Sequence, residues 1–123
     1  MENLSLLPDL VEPLDGVAPW VGGKHHLARR IVRRIESIPH TCYAEPFVGM
    51  GGVFLRRTRR PTSEVINDYS RDVSTLFRVL QRHPDALFRE IEFQVTSRSE
   101  FERLRATPPE VLTDIERSAR VLY

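Results

Sequence analysis

The sequence has 123 residues, enough for one domain or part of one, and its net charge of +1 argues neither for nor against a nucleic-acid partner. Hydrophobic residues make up 41% and charged residues 28%, as in ordinary soluble proteins, and the single cysteine, Cys42, excludes an internal disulfide. No apolar run reaches the roughly 20 residues of a membrane span and no signal peptide opens the chain, so we expect a cytoplasmic protein.

The predicted elements begin after a loose N-terminal arm, residues 1–18, which has prolines and little periodicity. Apolar residues at helical spacing from Leu27 to Ile38 predict a first helix that ends near Pro39. Three elements follow in this half: a strand over 41–47, a short helix over 52–57 and a second strand over 64–67. The two strands are expected to be parallel.

The remaining predicted elements are helices, one from Ser70 to the break at His83, one over residues 86–93, and two more towards the end of the chain. Ser97 and the glutamate three residues later have capping-box spacing, which predicts a helix start. The Pro108-Pro109 pair is expected to open the last helix, which has no stop signal. Because two strands are also few for a parallel sheet, we expect the N-terminal part of a longer protein.

Arginines cluster at two places in the first half of the chain. Either cluster could face phosphates, although a solvated surface is the simpler interpretation. The clusters are Arg29, Arg30, Arg33 and Arg34 on the first helix, and Arg56, Arg57, Arg59 and Arg60 before the second strand.

A glycine-rich turn, residues 49–52 (GMGG), joins the first strand to the short helix. Glycines allow a sharp turn and leave no Cβ where a ligand comes close. Asp68 lies roughly 20 residues after Gly49, the separation between such a turn and a ribose-binding acid in Rossmann-type units. Because the turn has neither the pyrophosphate fingerprint nor the Gly-Lys-Ser/Thr of a P-loop, it better matches an uncharged nucleoside, such as the adenosyl group of S-adenosylmethionine.

Residues 19–24 (PWVGGK) precede the first predicted helix. Lys24 is poorly placed for helix stability, because the positive end of the helix dipole favours anions there. With two glycines before it and the Trp20 indole nearby, it suits a ligand that carries a carboxylate and an aromatic base. Taken alone, this segment is better explained as a turn anchored by a hydrophobic tryptophan. Its occurrence together with the glycine turn and Asp68 is the stronger signal.

These segments, in this order, resemble the Dam-like class of adenine-specific DNA methyltransferases. They are residues 20–24 (WVGGK), 45–55 (EPFVGMGGVFL) and 67–72 (NDYSRD), and the resemblance covers about residues 19–123. It implies an α/β protein with a Rossmann-like methyltransferase fold, S-adenosyl-L-methionine as cofactor and double-stranded DNA as partner. It also implies seven cofactor-binding residues: Trp20, Lys24, Glu45, Phe47, Gly49, Gly51 and Asp68.

The resemblance assigns roles to two charged residues and an organisation to the chain. In the class, the lysine of the first segment pairs with the methionine carboxylate, and the acid after the second strand holds the ribose. These positions correspond to Lys24 and Asp68. Residues 19–87 would form the S-adenosylmethionine-binding part, truncated before the catalytic strand. Residues 88–123 would begin the helical target-recognition region for DNA.

The catalytic motif of the class, Asp/Asn-Pro-Pro-Tyr/Phe, is absent from the sequence. The one Pro-Pro pair is flanked by Thr107 and Glu110. It therefore lacks the hydrogen-bond acceptor and the aromatic ring that stacks on the extruded adenine. We expect the parent enzyme to methylate the exocyclic amine of adenine, and this chain alone to be inactive.

The four histidines do not suggest a metal site. His25 and His26 are adjacent, so on a helix they would point to different sides, and His40 and His83 flank prolines in turns. Without clustered cysteines or carboxylates we expect no metal. No Ser-His-Asp or Cys-His nucleophile arrangement can be proposed.

Three hypotheses follow from the sequence. The first is the cofactor-binding part of a site-specific adenine methyltransferase with a restriction–modification, phage or housekeeping role. The second is a truncated, non-catalytic module that binds nucleoside or DNA without turnover. The third is a Rossmann-like binding domain outside methyl transfer, which Lys24 and Asp68 together argue against.

Overall fold

The computed structural model describes residues 9–123, and residues 1–8 lie outside this range. The chain divides into two compact units, one that ends at Asp68 and one that spans Tyr69–Tyr123. This division is earlier than the expected functional boundary between residues 87 and 88, because the helix that follows Asp68 packs with the later helices. The mixture of strands and helices is that of an α/β protein.

A short parallel sheet lies at the centre of the first unit. The elements of this unit are β1 (Asp9–Leu10), α1 (Ala28–Glu36), β2 (Cys42–Glu45), a 3₁₀ turn (Phe54–Arg56), β3 (Arg59–Arg60) and β4 (Ser63–Ile66). Strands β2 and β4 pair in parallel, with Cys42 opposite Ser63 and Glu45 opposite Ile66. The two predicted strands and their parallel pairing are confirmed.

Helix α1 is amphipathic, as its spacing predicts. Ala28 and Val32 are buried, whereas Arg29, Arg30 and Arg33 are exposed. The helix therefore contributes its apolar face to the core of the unit and turns its arginines to solvent. The other buried apolar residues of this core are Tyr43, Val48, Met50 and Val53.

The described part of the N-terminal arm is fastened by backbone hydrogen bonds. β1 pairs antiparallel with β3. The Val11 amide donates to Thr58 O at 2.9 Å and the Val17 amide to Met50 O at 2.8 Å. The prediction of a loose arm is wrong for residues 9–18, because backbone bonds between distant segments leave no periodic pattern of side chains. The start of the arm, residues 1–8, lies outside the described residues.

Arg57 is a buried charge in the first unit, with 4% of its side chain exposed. Its guanidinium carbon lies 3.9 Å from the ring centroid of Tyr43 and 4.9 Å from that of Phe54. Its Nη2 donates to the Glu64 carboxylate, and its Nη1 is buried without a hydrogen-bond partner in the described part of the chain. The prediction that this arginine cluster faces phosphate or solvent is therefore wrong for Arg57.

The second unit is helical over its described length. It contains α2 (Arg71–Arg82), α3 (Pro84–Glu92), α4 (Arg98–Ala106), a 3₁₀ turn (Pro109–Val111) and α5 (Asp114–Leu122). Helices α2, α3 and α5 pack on one another, with Leu76 and Leu87 fully buried between them. Among residues 9–123, no helix is both long enough and apolar enough to span a bilayer.

Two caps set the starts of the last helices. The Ser97 hydroxyl accepts a hydrogen bond from the Glu100 amide at 3.1 Å, as the spacing predicts. The full, reciprocal capping box lies at Thr113 and Glu116, where α5 begins. The prediction that Pro108-Pro109 opens the last helix is wrong, because these prolines lead into a separate three-residue 3₁₀ turn.

Replacing Glu64 by glutamine should lower the free energy of unfolding by roughly 3 kcal/mol, because the buried Arg57 charge would lose its carboxylate. Asp9→Asn is the matched control, since it removes the Asp9–Arg60 ion pair, whose two side chains are more than half exposed. The control should cost less than about 1 kcal/mol. Urea unfolding monitored by circular dichroism measures both values, and equal losses would contradict a buried role for Arg57.

Candidate functional site

Loops of the first unit line a cavity of about 640 Å³. Its wall combines residues 15–18 of the arm, the turn before α1, the segment that follows β2, and Asp68. Six of the seven predicted site residues lie in this wall: Trp20, Lys24, Glu45, Phe47, Gly49 and Asp68. The seventh, Gly51, shapes the same turn without lining the cavity. The volume is within the range of small-molecule sites, roughly 300–1,000 Å³.

The glycine turn is fastened to the end of β4. Gly49 and Gly51 have φ angles of +54° and +79°, a conformation that favours glycine. The Val48 amide donates to Asn67 O, and the Gly49 amide donates to Asp68 Oδ2, both at 2.9 Å. The carboxyl ends of the two parallel strands therefore meet at one edge, where ligands of open α/β sheets bind.

Two aromatic side chains give the cavity wall an apolar surface. A Cβ atom added to Gly49 would lie 3.3 Å from Trp20 Cδ1, so the indole rests against the glycine turn. Trp20 is 42% exposed and Phe47 is 77% exposed. Exposed aromatic faces in a concave wall suit a flat, apolar ring.

Lys24 brings a positive charge to the edge of the cavity. Its Nζ donates to Gly22 O at 2.7 Å, in a turn closed by the Gly23 amide, which donates to Trp20 O at 2.9 Å. The side chain is exposed. Its ammonium group has three donors, so it can bind an anion while it keeps this bond.

Glu45 and its partner Tyr43 connect the sheet to the cavity. Burial raises the pKa of the Glu45 carboxyl, opposed by a hydrogen bond from the Tyr43 hydroxyl at 2.7 Å and by the Arg57 charge. Burial, together with the Glu45 contact, also raises the pKa of Tyr43, so the phenol stays protonated and donates. Tyr43 is not among the residues predicted for the site. Its position two residues before Glu45 on a strand could have indicated it, because residues two apart on a strand lie on one face.

Arg56 lines the cavity, although the sequence motifs did not assign it to the site. Its Nη1 donates to Gly52 O at 2.7 Å, and its Nη2 donates to Asp15 Oδ1 at 2.7 Å. The same Nη2 lies 3.2 Å from His25 Nδ1. Asp15 and His25 are far from Arg56 in sequence, so no local motif indicates this arrangement.

The described part of the chain offers neither a set of metal ligands nor a cysteine in the cavity wall. Over residues 9–123, no group of three or more His, Cys, Asp or Glu side chains converges in a way that could hold a metal ion. The Cys42 thiol is exposed and lies outside the cavity wall.

The sequence profile of one family covers the cavity wall from Trp20 onwards. This family is described as D12 class N6 adenine-specific DNA methyltransferase, and its profile matches residues 20–123. The chain belongs to this family. The resemblance to Dam-like adenine methyltransferases is thereby confirmed, and the family implies DNA as substrate. No curated protein matches the chain.

The residues that match the D12 family profile include most of the cavity wall, but not all of it. Family members generally use S-adenosylmethionine as methyl donor. The match begins at Trp20, whereas residues 15–18 also line the cavity. The arm is thus a part of the wall that the family profile does not describe.

Gly49→Ala should strain the turn by about 1–2 kcal/mol, because alanine disfavours a left-handed φ and its Cβ would press on Trp20. Trp20 is the only tryptophan, so its fluorescence reports this change directly. We expect a shifted emission maximum and a lower free energy of unfolding. Gly52→Ala is the control, since its added Cβ meets only Arg56 Nη1, at 3.5 Å. The same emission shift in both variants would contradict a specific Trp20–Gly49 contact.

Proposed function

We propose that this chain is the cofactor-binding part of a site-specific DNA adenine methyltransferase, and that its cavity binds S-adenosyl-L-methionine. The main support is the convergence of three sequence segments on one cavity. Trp20 and Lys24 come from the first segment, Glu45 to Gly49 from the second, and Asp68 from the third. The bond from the Gly49 amide to Asp68 Oδ2 joins the second and third segments directly.

The donor and acceptor groups of the wall fit the parts of this cofactor. The Asp68 carboxylate would accept the ribose hydroxyls, and Lys24 would pair with the methionine carboxylate. Glu45 would pair with the ammonium group of the cofactor's methionine part. The exposed rings of Trp20 and Phe47 would pack against the adenine and the apolar chain of the methionine part. When bound, S-adenosylmethionine supplies a methyl group on a positively charged sulfur.

The glycine turn would let the backbone approach the cofactor closely. Gly49 and Gly51 adopt positive φ angles, which side chains rarely do. A side chain at Gly49 would also displace the Trp20 indole. Both glycines are therefore proposed to act through backbone shape, with Gly49 in the wall and Gly51 behind it.

We propose that the chain by itself transfers no methyl group. In the parent enzyme, an Asp/Asn-Pro-Pro-Tyr/Phe motif would accept hydrogen bonds from the exocyclic amine and stack on the extruded adenine. Here Pro108 and Pro109 lie between Thr107 and Glu110, which supply neither group as the motif requires. The wall residues can bind and orient a cofactor, but this sequence provides no site for the target base.

Residues 88–123 are proposed to begin the DNA target-recognition region. In support, several large apolar side chains of this segment are exposed, including Phe88, Phe93 and Val111. The second candidate function is a module that binds nucleoside or DNA without turnover. The missing catalytic motif favours it, and it uses the same cavity.

Asp68→Ala and Lys24→Ala should each weaken the binding of S-adenosylhomocysteine about 10- to 150-fold. Each removes a charge-assisted hydrogen bond worth roughly 1.5–3 kcal/mol. Asp68→Asn separates binding from structure, because its amide oxygen can still accept from the Gly49 amide. Calorimetric titration of the 123-residue chain measures all three affinities.

Asp72→Asn is the control for this titration. Asp72 pairs with Arg117 inside the second unit and does not line the cavity. Its affinity should equal that of the wild type. An unchanged affinity in Asp68→Ala would show that the ribose assignment is wrong.

The chain should incorporate no tritiated methyl group into adenine-rich duplex DNA, because the motif that holds the target amine is missing. Incorporation is measured against a reaction without protein. The positive control is a separate adenine methyltransferase in the same buffer. Counts above the background for this chain would refute the proposed inactivity.

A further inference from the structure

We infer that Arg56 is a positioning residue that holds three segments of the cofactor cavity together, and that its contact with His25 is one of the bonds that does so. This inference rests on the proposed function of the cavity. It concerns residues outside the seven proposed cofactor-binding positions.

The guanidinium of Arg56 makes a contact to each of three segments. Nη1 donates to Gly52 O in the glycine turn at 2.7 Å. Nη2 donates to Asp15 in the arm at 2.7 Å and lies 3.2 Å from Nδ1 of His25, in the turn before α1. Arg56 is 17% exposed, whereas Asp15 is 88% exposed, so the arginine forms the inner side of this cluster.

Two of these segments carry groups proposed to contact the cofactor, and the third packs against one of them. His25 directly follows Lys24, and Gly52 belongs to the same turn as Gly49. The arm packs against that turn, because a Cβ on Gly16 would lie 3.2 Å from Met50 O. Loss of the Arg56 contacts would thus free the lysine turn relative to the glycine turn, while the backbone bonds of the arm remain.

The contact with His25 has a defined direction. A guanidinium only donates hydrogen bonds, so Nδ1 of His25 accepts through its lone pair. Arg56 therefore needs an acceptor atom at this position of the lysine turn, as it does at Asp15 and at Gly52 O.

The test is calorimetric titration of S-adenosylhomocysteine into the full 123-residue chain. Arg56→Ala should bind about 10-fold more weakly than the wild type, as for the loss of a hydrogen bond to a charged group. Arg56→Lys should lie between the two, because it keeps the charge and loses the forked geometry.

The His25→Asn and His25→Ala variants test the contact with His25. The amide oxygen of asparagine can replace Nδ1 as acceptor, so affinity should be retained. Alanine removes the acceptor and should weaken binding, but less than Arg56→Ala does, because the other two Arg56 contacts remain. His40→Asn is the control, since the His40 ring bonds to Ile38 O and lies outside the cavity wall, and it should keep the wild-type affinity.

The outcomes are distinct. Wild-type affinity in both Arg56 variants, with weakened binding in Asp68→Ala, would overturn the positioning role and leave the cofactor site intact. Wild-type affinity in His25→Ala would overturn the role of His25. Absence of binding by the wild type would refute the proposed function and this inference with it.

Discussion

The hydrogen bond from the Gly49 amide to the Asp68 carboxylate is the contact on which the cavity depends. It links the turn after β2 to the residue that ends the first unit, so the two parallel strands present their carboxyl ends as one edge. Gly49 can make this bond with a φ of +54° because it has no Cβ. The same absence makes room for Trp20, so one glycine determines both the edge and the wall.

Two consecutive arginines make separate sets of contacts around this arrangement. Arg57 is buried against Tyr43 and paired with Glu64. Tyr43 in turn donates to Glu45, which lines the cavity. Arg56 lines the cavity and joins the arm to the glycine turn.

The elements that the sequence predicted are those determined by local patterns. Helical spacing of apolar residues located most of the helices, and the extended and apolar runs on either side of the glycine turn located β2 and β4. Six of the seven site residues predicted from the motifs lie in one cavity wall. The helix cap at Ser97 could also be predicted, because a serine followed by a glutamate three residues later is a local sequence pattern.

The features that the sequence did not predict depend on contacts between distant residues. In the β1–β3 pair, Asp9 lies opposite Arg60. Backbone hydrogen bonds hold this pair, and they require no particular side-chain pattern in the sequence. The burial of Arg57 depends on which rings surround it, and the Arg56 contacts depend on how the arm folds back. The prediction that Pro108-Pro109 opens the last helix was wrong for a different reason. Proline at a helix start is a general preference, and the stronger cap at Thr113 decided where α5 begins.

A crystal structure of the chain with S-adenosylhomocysteine tests the central claim most directly. We expect the ribose hydroxyls within hydrogen-bond distance of the Asp68 carboxylate, and the ligand carboxylate beside Lys24. Ligand density elsewhere, or a ribose held by residues other than Asp68, would contradict the proposed cofactor site.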